Sequence, residues 1–144
     1  MPYPEMMVKP MREDLVRIGV EELTTAEQVE SFFSQTEGTA MLVVNSVCGC
    51  AAGNARPAVA LSLQHDKKPD RVATVFAGQD VDATAAARAK FPQLPPSSPS
   101  IILIKNVEPF EYIPRHAIEG RDANMIAGAL KAIFNTLPNG ESVY

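Results

Sequence analysis

The sequence is poor in the residues that mark most specialised chains. It holds only two cysteines and two histidines in 144 residues, which excludes a four-cysteine zinc or iron–sulfur site within the chain. No basic cluster exceeds Lys67-Lys68 and the net charge is -4, so there is no electrostatic footprint for nucleic acid. No uninterrupted apolar stretch approaches the roughly 18 residues that read as a membrane span. The start, Met1-Pro2-Tyr3-Pro4-Glu5, has neither a basic leader nor an apolar core, and no signal peptide is read there. Aromatic residues make up 6%, and no long amphipathic seam demands a partner, so a monomer and a weak homodimer both fit. Internal repeats are absent.

What remains is an ordinary globular balance, 46% apolar and 21% charged. The length fits one domain over residues 1–144 with one good hydrophobic core. With no leader and no span, the expected location is the cytoplasm. In that reducing compartment, neighbouring cysteines serve catalysis or metal binding more often than they staple a fold.

The two cysteines stand together in Cys48-Gly49-Cys50, directly after the clearest strand, Thr39 to Asn45. That strand is apolar nearly throughout, which places it in the middle of a sheet covered on both faces. An alanine-rich helix from Ala51 to about Gln64 follows, with Pro57 expected to kink it. Upstream, residues 1–9 carry two prolines and three methionines without a period and read as an extended arm. A helix over Met11 to Ile18 ends at Gly19, Val20 to Leu23 is a short strand, and Thr24 or Thr25 caps a helix to Phe33 or Ser34. Downstream come a strand over Asp70 to Ala77, stopped by Gly78, and a helix opened by Asp80 or Asp82 and running through Lys90. A Pro/Ser loop from Phe91 to Pro99 leads into strands at Ser100 to Lys105 and Pro109 to Pro114, joined by Asn106-Val107-Glu108. Asp122 caps a last helix through Phe134, and Leu137 to Tyr144 is a tail.

Alternating strands and helices require parallel pairing, and the terminal hairpin requires an antiparallel edge. A mixed central sheet with helices on both faces and one extra N-terminal helix satisfies both. That α/β arrangement resembles thioredoxin; periodicity alone leaves a flavodoxin-like strand order open.

Two cysteines around one glycine constrain their own setting. Within a helix, residues two apart point about 200° away from each other, and on a strand their spacing strains a disulfide. The pair therefore straddles a turn, with Cys48 outside the helix, Cys50 in its first turn, and Gly49 supplying backbone freedom. A disulfide closed over one residue is strained and exchanges readily. The N–H groups at the helix start favour a Cys48 thiolate. Cys48 then reads as the attacking thiolate and Cys50, nearer the core, as the resolving thiol. Inert thiols, and a metal site completed by His65 or His116, are the duller readings, though neither histidine has ligand spacing to the pair. Asn45 and Ser46 serve either a turn or a hydrogen bond to Cys48. Arg56 reads as a solvated helix charge, its alternatives being a source of local positive potential or a carboxylate ligand.

The loop Leu94-Pro95-Pro96-Ser97-Ser98-Pro99-Ser100 enters an apolar strand. In a thioredoxin fold the residue before this strand is a cis-proline packed on the cysteine turn. Pro99 fits that role, with Ser98 presenting its backbone to an extended substrate; a plain loop stop is the simpler reading.

Asn45 through Gly53, with Ala55-Arg56-Pro57, resembles the cysteine segment of the bacilliredoxins. Ser97-Ser98-Pro99-Ser100 and the stretch Pro4 to Arg12 resemble that family too, and the similarity covers nearly the whole chain. The resemblance implies a thioredoxin-like fold with C-G-C in place of C-x-x-C. It implies reduction of mixed disulfides between protein cysteines and the low-molecular-weight thiol bacillithiol. Cys48 would take the bacillithiol moiety, and Cys50 or a second bacillithiol would release it. The partners so implied are thiolated or disulfide-containing client proteins and a small thiol; neither a metal nor an organic cofactor is expected, and the charge and hydropathy above give no sign of nucleic acid or membrane. A general protein disulfide isomerase is the first rival, and a non-enzymatic metal-binding or redox-sensing module the second.

Overall fold

The computed structural model describes residues 2–137. Five strands form one sheet in the order β1-β3-β2-β4-β5. These are β1 (Glu21–Glu22), β2 (Thr39–Asn45), β3 (Arg71–Phe76), β4 (Ser100–Lys105) and β5 (Glu108–Ile113). The β1-β3 and β2-β3 pairs are parallel, while β4 is antiparallel to both β2 and β5. The sheet is thus mixed, and its order departs from a flavodoxin-like one. Central β2 is buried at all seven residues, as its unbroken apolar run requires.

Period-two alternation along β2 builds two cores. Met41 and Val43 face one side, where Leu15 of α1 (Glu5–Val16), Val59 of α3 (Arg56–Ser62) and Leu130 and Phe134 of α6 (Ala123–Phe134) pack. Leu42 and Val44 face the other, against Val29 and Phe32 of α2 (Ala26–Phe33), Ala83 and Ala87 of α4 (Val81–Ala89), and Phe91. Helices cover both faces.

Several local signals act as their chemistry dictates. Thr25 Oγ1 accepts from the Gln28 N–H at 3.1 Å, and Gln28 Oε1 accepts in return from the Thr24 N–H at 2.7 Å. Asp122 Oδ1 accepts from the Met125 N–H at 2.8 Å and starts α6. The β4–β5 turn consists of Asn106 and Val107 alone, with φ of 49° and 62°, the double left-handed pair of a tight hairpin.

Other expectations are corrected. The arm read over residues 1–9 is helical from Glu5, and Pro10 lies inside α1. The helix persists because Val8 and Leu15, seven residues apart on one face, are both fully buried. Asp80 precedes α4 without capping it through its side chain. Its carboxylate instead takes two bonds from Arg12, at 2.6 and 2.9 Å, pinning α1 to the end of β3. A short helix, α5 (Arg115–Ile118), follows β5 where none was foreseen. Leu137 is buried; the rest of the expected tail lies outside the described residues.

Pro57 disturbs its helix, though by a specific route. Helical backbone runs over 49–62, but Ala51–Ala55 forms a π turn closed by the Arg56 N–H on the Ala51 carbonyl. Pro57 then sits at the start of α3, where its missing N–H costs least. Among the described residues no helix is long and apolar enough to cross a membrane.

Candidate active site

The C-terminal end of β2, the N-terminal end of β4 and the C-terminal end of β5 lie side by side at one end of the sheet. Val44 pairs with Ser100 and Ile101 with Ile113. The register therefore sends the cysteine turn, the Ser98-Pro99 loop and α5 out of the sheet side by side.

The turn is built from hydrogen bonds. Asn45 Oδ1 accepts from the Ser46 N–H at 2.9 Å, and Ser46 Oγ accepts from the Cys48 N–H at 3.3 Å. The Cys48 carbonyl accepts from the Ala51 and Ala52 N–H groups at 3.0 and 3.2 Å, starting the helix. Cys48 thus stands just outside the helix and Cys50 in its first turn. Gly49 is a correction: its backbone is helical, without the positive φ of Gly19, Gly38, Gly78 or Gly120. A Cβ there would meet no atom within 4 Å.

Arg56 is the larger correction. It is only 4% exposed, not a solvated charge. Its Nη1 donates to Asn45 Oδ1 and to the Ser46 carbonyl, both at 2.9 Å, and its Nε donates to Asp14 Oδ2 at 3.1 Å. Asn45 Nδ2 also donates to the Met11 carbonyl at 3.2 Å. The N-terminal helix thereby braces the turn from behind.

Both thiols are free and half-buried, with their sulfurs 2.7 Å apart. They are driven in opposite directions. The Cys50 thiol and the Cys50 backbone N–H hold Cys48 below the ordinary thiol range, helped by the Arg115 guanidinium and the Ala51 N–H. Burial, followed by the neighbouring Cys48, pushes Cys50 up. Cys50 also packs against the core beneath α3 and α6. A thiolate therefore forms on the outer sulfur first, and the inner one is its hydrogen-bond donor.

The Ser98–Pro99 peptide bond is cis, with Ser98 half-buried and Pro99 buried. The preceding residue, Ser97, is held from three sides. Its carbonyl accepts from Ser100 Oγ at 2.8 Å and Arg88 Nη2 at 3.3 Å, and its hydroxyl accepts from the Arg115 N–H at 2.7 Å. Asn54, on the π turn, donates through Nδ2 to the carbonyls of Ile118 (3.2 Å) and Arg121.

The sequence reading missed Arg115. Its local signal was slight, a cation following the Ile113-Pro114 strand end. Its guanidinium is among the groups that lower Cys48, and the Cys48 charge is in turn the largest influence raising Arg115. The two histidines take no part in the thiol pair's hydrogen bonds; His65 Nε2 pairs with Asn135 Oδ1 at 2.8 Å. Among the described residues no three His, Cys, Asp or Glu side chains group as a metal site.

Thioredoxins share this fold. The structure resembles that of Fasciola hepatica thioredoxin with a TM-score of 0.56, at 17% identity, over 83% of this chain and all of that one. Schistosoma mansoni thioredoxin pre-protein gives 0.51 at 17% identity, over 77% of this chain and 97% of the other. Residues 3–137 match the protein family described as disulphide isomerase. A thioredoxin-like sheet presenting two unequal thiols at a helix start, in a chain of this descent, defines a thiol–disulfide oxidoreductase.

The sequence relatives are narrower in kind. The chain is 53% identical over 133 residues to a bacilliredoxin of Shouchella clausii, covering 92% of both proteins. It is 52% identical over 136 residues to the bacilliredoxin of Salinibacter ruber, covering 93% of this chain and 80% of that one. It is 50% identical over 135 residues to the bacilliredoxin of Cytophaga hutchinsonii, covering 94% and 99%. The chain belongs to the bacilliredoxin family.

Proposed function

We propose that this oxidoreductase works in the cytoplasm, as one thioredoxin-like domain, to strip a low-molecular-weight thiol, bacillithiol, from protein cysteines. The carrying observation is the opposed tuning of the two sulfurs, 2.7 Å apart, with Cys48 lowered and Cys50 raised. The Cys48 thiolate attacks the bacillithiol sulfur of the mixed disulfide. A Cys48–bacillithiol disulfide forms as the client's S–S bond breaks, and the client cysteine leaves as a thiolate that takes a proton from water. Cys50 then loses its proton and attacks Cys48 Sγ, releasing bacillithiol as a thiolate. The client is reduced by two electrons and the Cys48/Cys50 pair is oxidised to a disulfide. An external thiol reductant returns the pair to the dithiol. The backbone of Ser98, beside cis-Pro99, receives the client's extended chain.

The test is direct transfer. Reduced Cys50→Ala protein is mixed with a bacillithiol-modified model protein, and the products are weighed by intact mass spectrometry. The expected product is one bacillithiol adduct on Cys48 and an unmodified client. Cys48→Ala should take up none. A trapped complex with an oxidised, unfolded protein, without adduct transfer, would favour a general disulfide isomerase instead.

A further inference from the structure

Helix α5 is fixed between the two halves of the site. At its first residue the Arg115 N–H donates to Ser97 Oγ at 2.7 Å, in the cis-proline loop. At its last residue the Ile118 carbonyl accepts from Asn54 Nδ2 at 3.2 Å, on the helix that carries the cysteines. Ile118 is fully buried in the core against which Cys50 packs. The backbone of α5 is thus set by both loops, and the Arg115 side chain projects from it into solvent, 46% exposed.

Among the described residues that side chain has one ionic partner, Glu119, at 3.3 Å, itself 52% exposed. Exposed pairs of this kind are held weakly and open readily to a competing carboxylate. The chain as a whole carries a net charge of -4, so an anionic ligand approaching it needs a local cation. A guanidinium offers a planar fork matched to a carboxylate.

We propose that Arg115 determines specificity for the small thiol, its guanidinium binding a carboxylate of an anionic low-molecular-weight thiol while that thiol's sulfur is bonded to Cys48. The inference rests on the thiol-transfer reading above and adds the charge class of the small thiol. In the resting protein Glu119 Oε1 lies 3.3 Å from Arg115 Nε; in the adduct the ligand carboxylate displaces it. The mutual influence of Cys48 and Arg115 agrees with this placement. No bond changes at Arg115, so the exchange chemistry at Cys48 is as already written.

Small disulfides of different charge test it. The reduced full chain is oxidised by glutathione disulfide (anionic), hydroxyethyl disulfide (neutral) and cystamine (cationic), and the rate constants are compared as ratios. Ratios cancel any change in the Cys48 thiolate fraction. The anionic-to-cationic ratio should fall about two- to fivefold in Arg115→Gln, and further in Arg115→Glu. It should fall less in Arg115→Lys, which keeps the charge but loses the fork, than in Arg115→Gln, and fall in the unmodified protein as salt is raised toward 1 M. If Arg115→Gln and Arg115→Glu keep the unmodified protein's ratio while all three probes react, the Arg115 assignment is wrong and the thiol-exchange reading stands. If the unmodified protein reacts with none of the three, both fall.

Discussion

Arg56 donates through Nη1 to the carbonyl of Ser46 at 2.9 Å, two residues before Cys48. A buried cation thus holds the backbone that leads to Cys48, without being among the neighbours that lower its thiol. The same nitrogen satisfies Asn45 Oδ1, and Nε reaches back to Asp14 on α1. The cysteine turn is supported from the strand, the helix and the N-terminal segment at once.

Removing that support should cost stability. Arg56→Met leaves the Ser46 carbonyl unpaired in a buried setting, at about 1–3 kcal/mol, while Asn45 Oδ1 keeps the Ser46 N–H. We expect a loss of about 1–3 kcal/mol in denaturant unfolding. Asp14→Asn should lose below about 1 kcal/mol, since Asp14 is 41% exposed. Equal losses for the two variants would contradict the bracing role.

The pH profile of Cys48 alkylation should report its hydrogen-bond donor. A thiol held below its ordinary value is ionised at lower pH, so its alkylation rate reaches a plateau earlier. The Cys50 thiol is the largest cause of that lowering, so Cys50→Ala should move the midpoint upward. Alkylation then slows below the midpoint and matches the parent protein at high pH. A midpoint that stays put would remove Cys50 from the activation of Cys48.

Val107 is the residue least suited to its backbone. A β-branched side chain at φ 62° is strained, whereas Asn106 tolerates its turn position and accepts from the Gly38 N–H at 2.8 Å. Val107→Gly should stabilise the protein by about 1 kcal/mol despite the added freedom of the unfolded chain. A lower melting temperature would count against this account of the turn.

Gly49 tests whether its lack of a side chain serves the fold. Its backbone is helical and a Cβ meets nothing, so Gly49→Ala should raise stability by about 0.5–1 kcal/mol. Destabilisation in thermal unfolding would show that the turn needs glycine after all.

The sequence was legible where local chemistry decides structure. Thr39–Asn45 announces itself by an unbroken apolar run, and Asp122 by its position before an amphipathic stretch. The pairing of the cysteine turn with the Ser98-Pro99 loop was legible through the thioredoxin-like order of elements. Arg56 and Arg115 were not. Whether an arginine is buried or exposed depends on partners such as Asp14, Asn45 and Ser97, which are far off in sequence and near only once the sheet has formed. Residues 1–9 misled for a related reason: their two prolines and missing period suggested an arm, but the burial of Val8 and Leu15 holds a helix from Glu5, with Pro10 inside it.

The π turn at Ala51–Ala55 carries a consequence of phase. A π turn holds about one residue more than an α turn, and each residue rotates the helix by about 100°. The thiols and Arg56 lie on opposite sides of it, so their relative bearing depends on that extra residue. A chain shortened by one position within 51–55 could keep a continuous helix and every active-site side chain. It would nonetheless turn the brace away from the sulfurs it supports. The spacing here is as much a part of the site as the residues themselves.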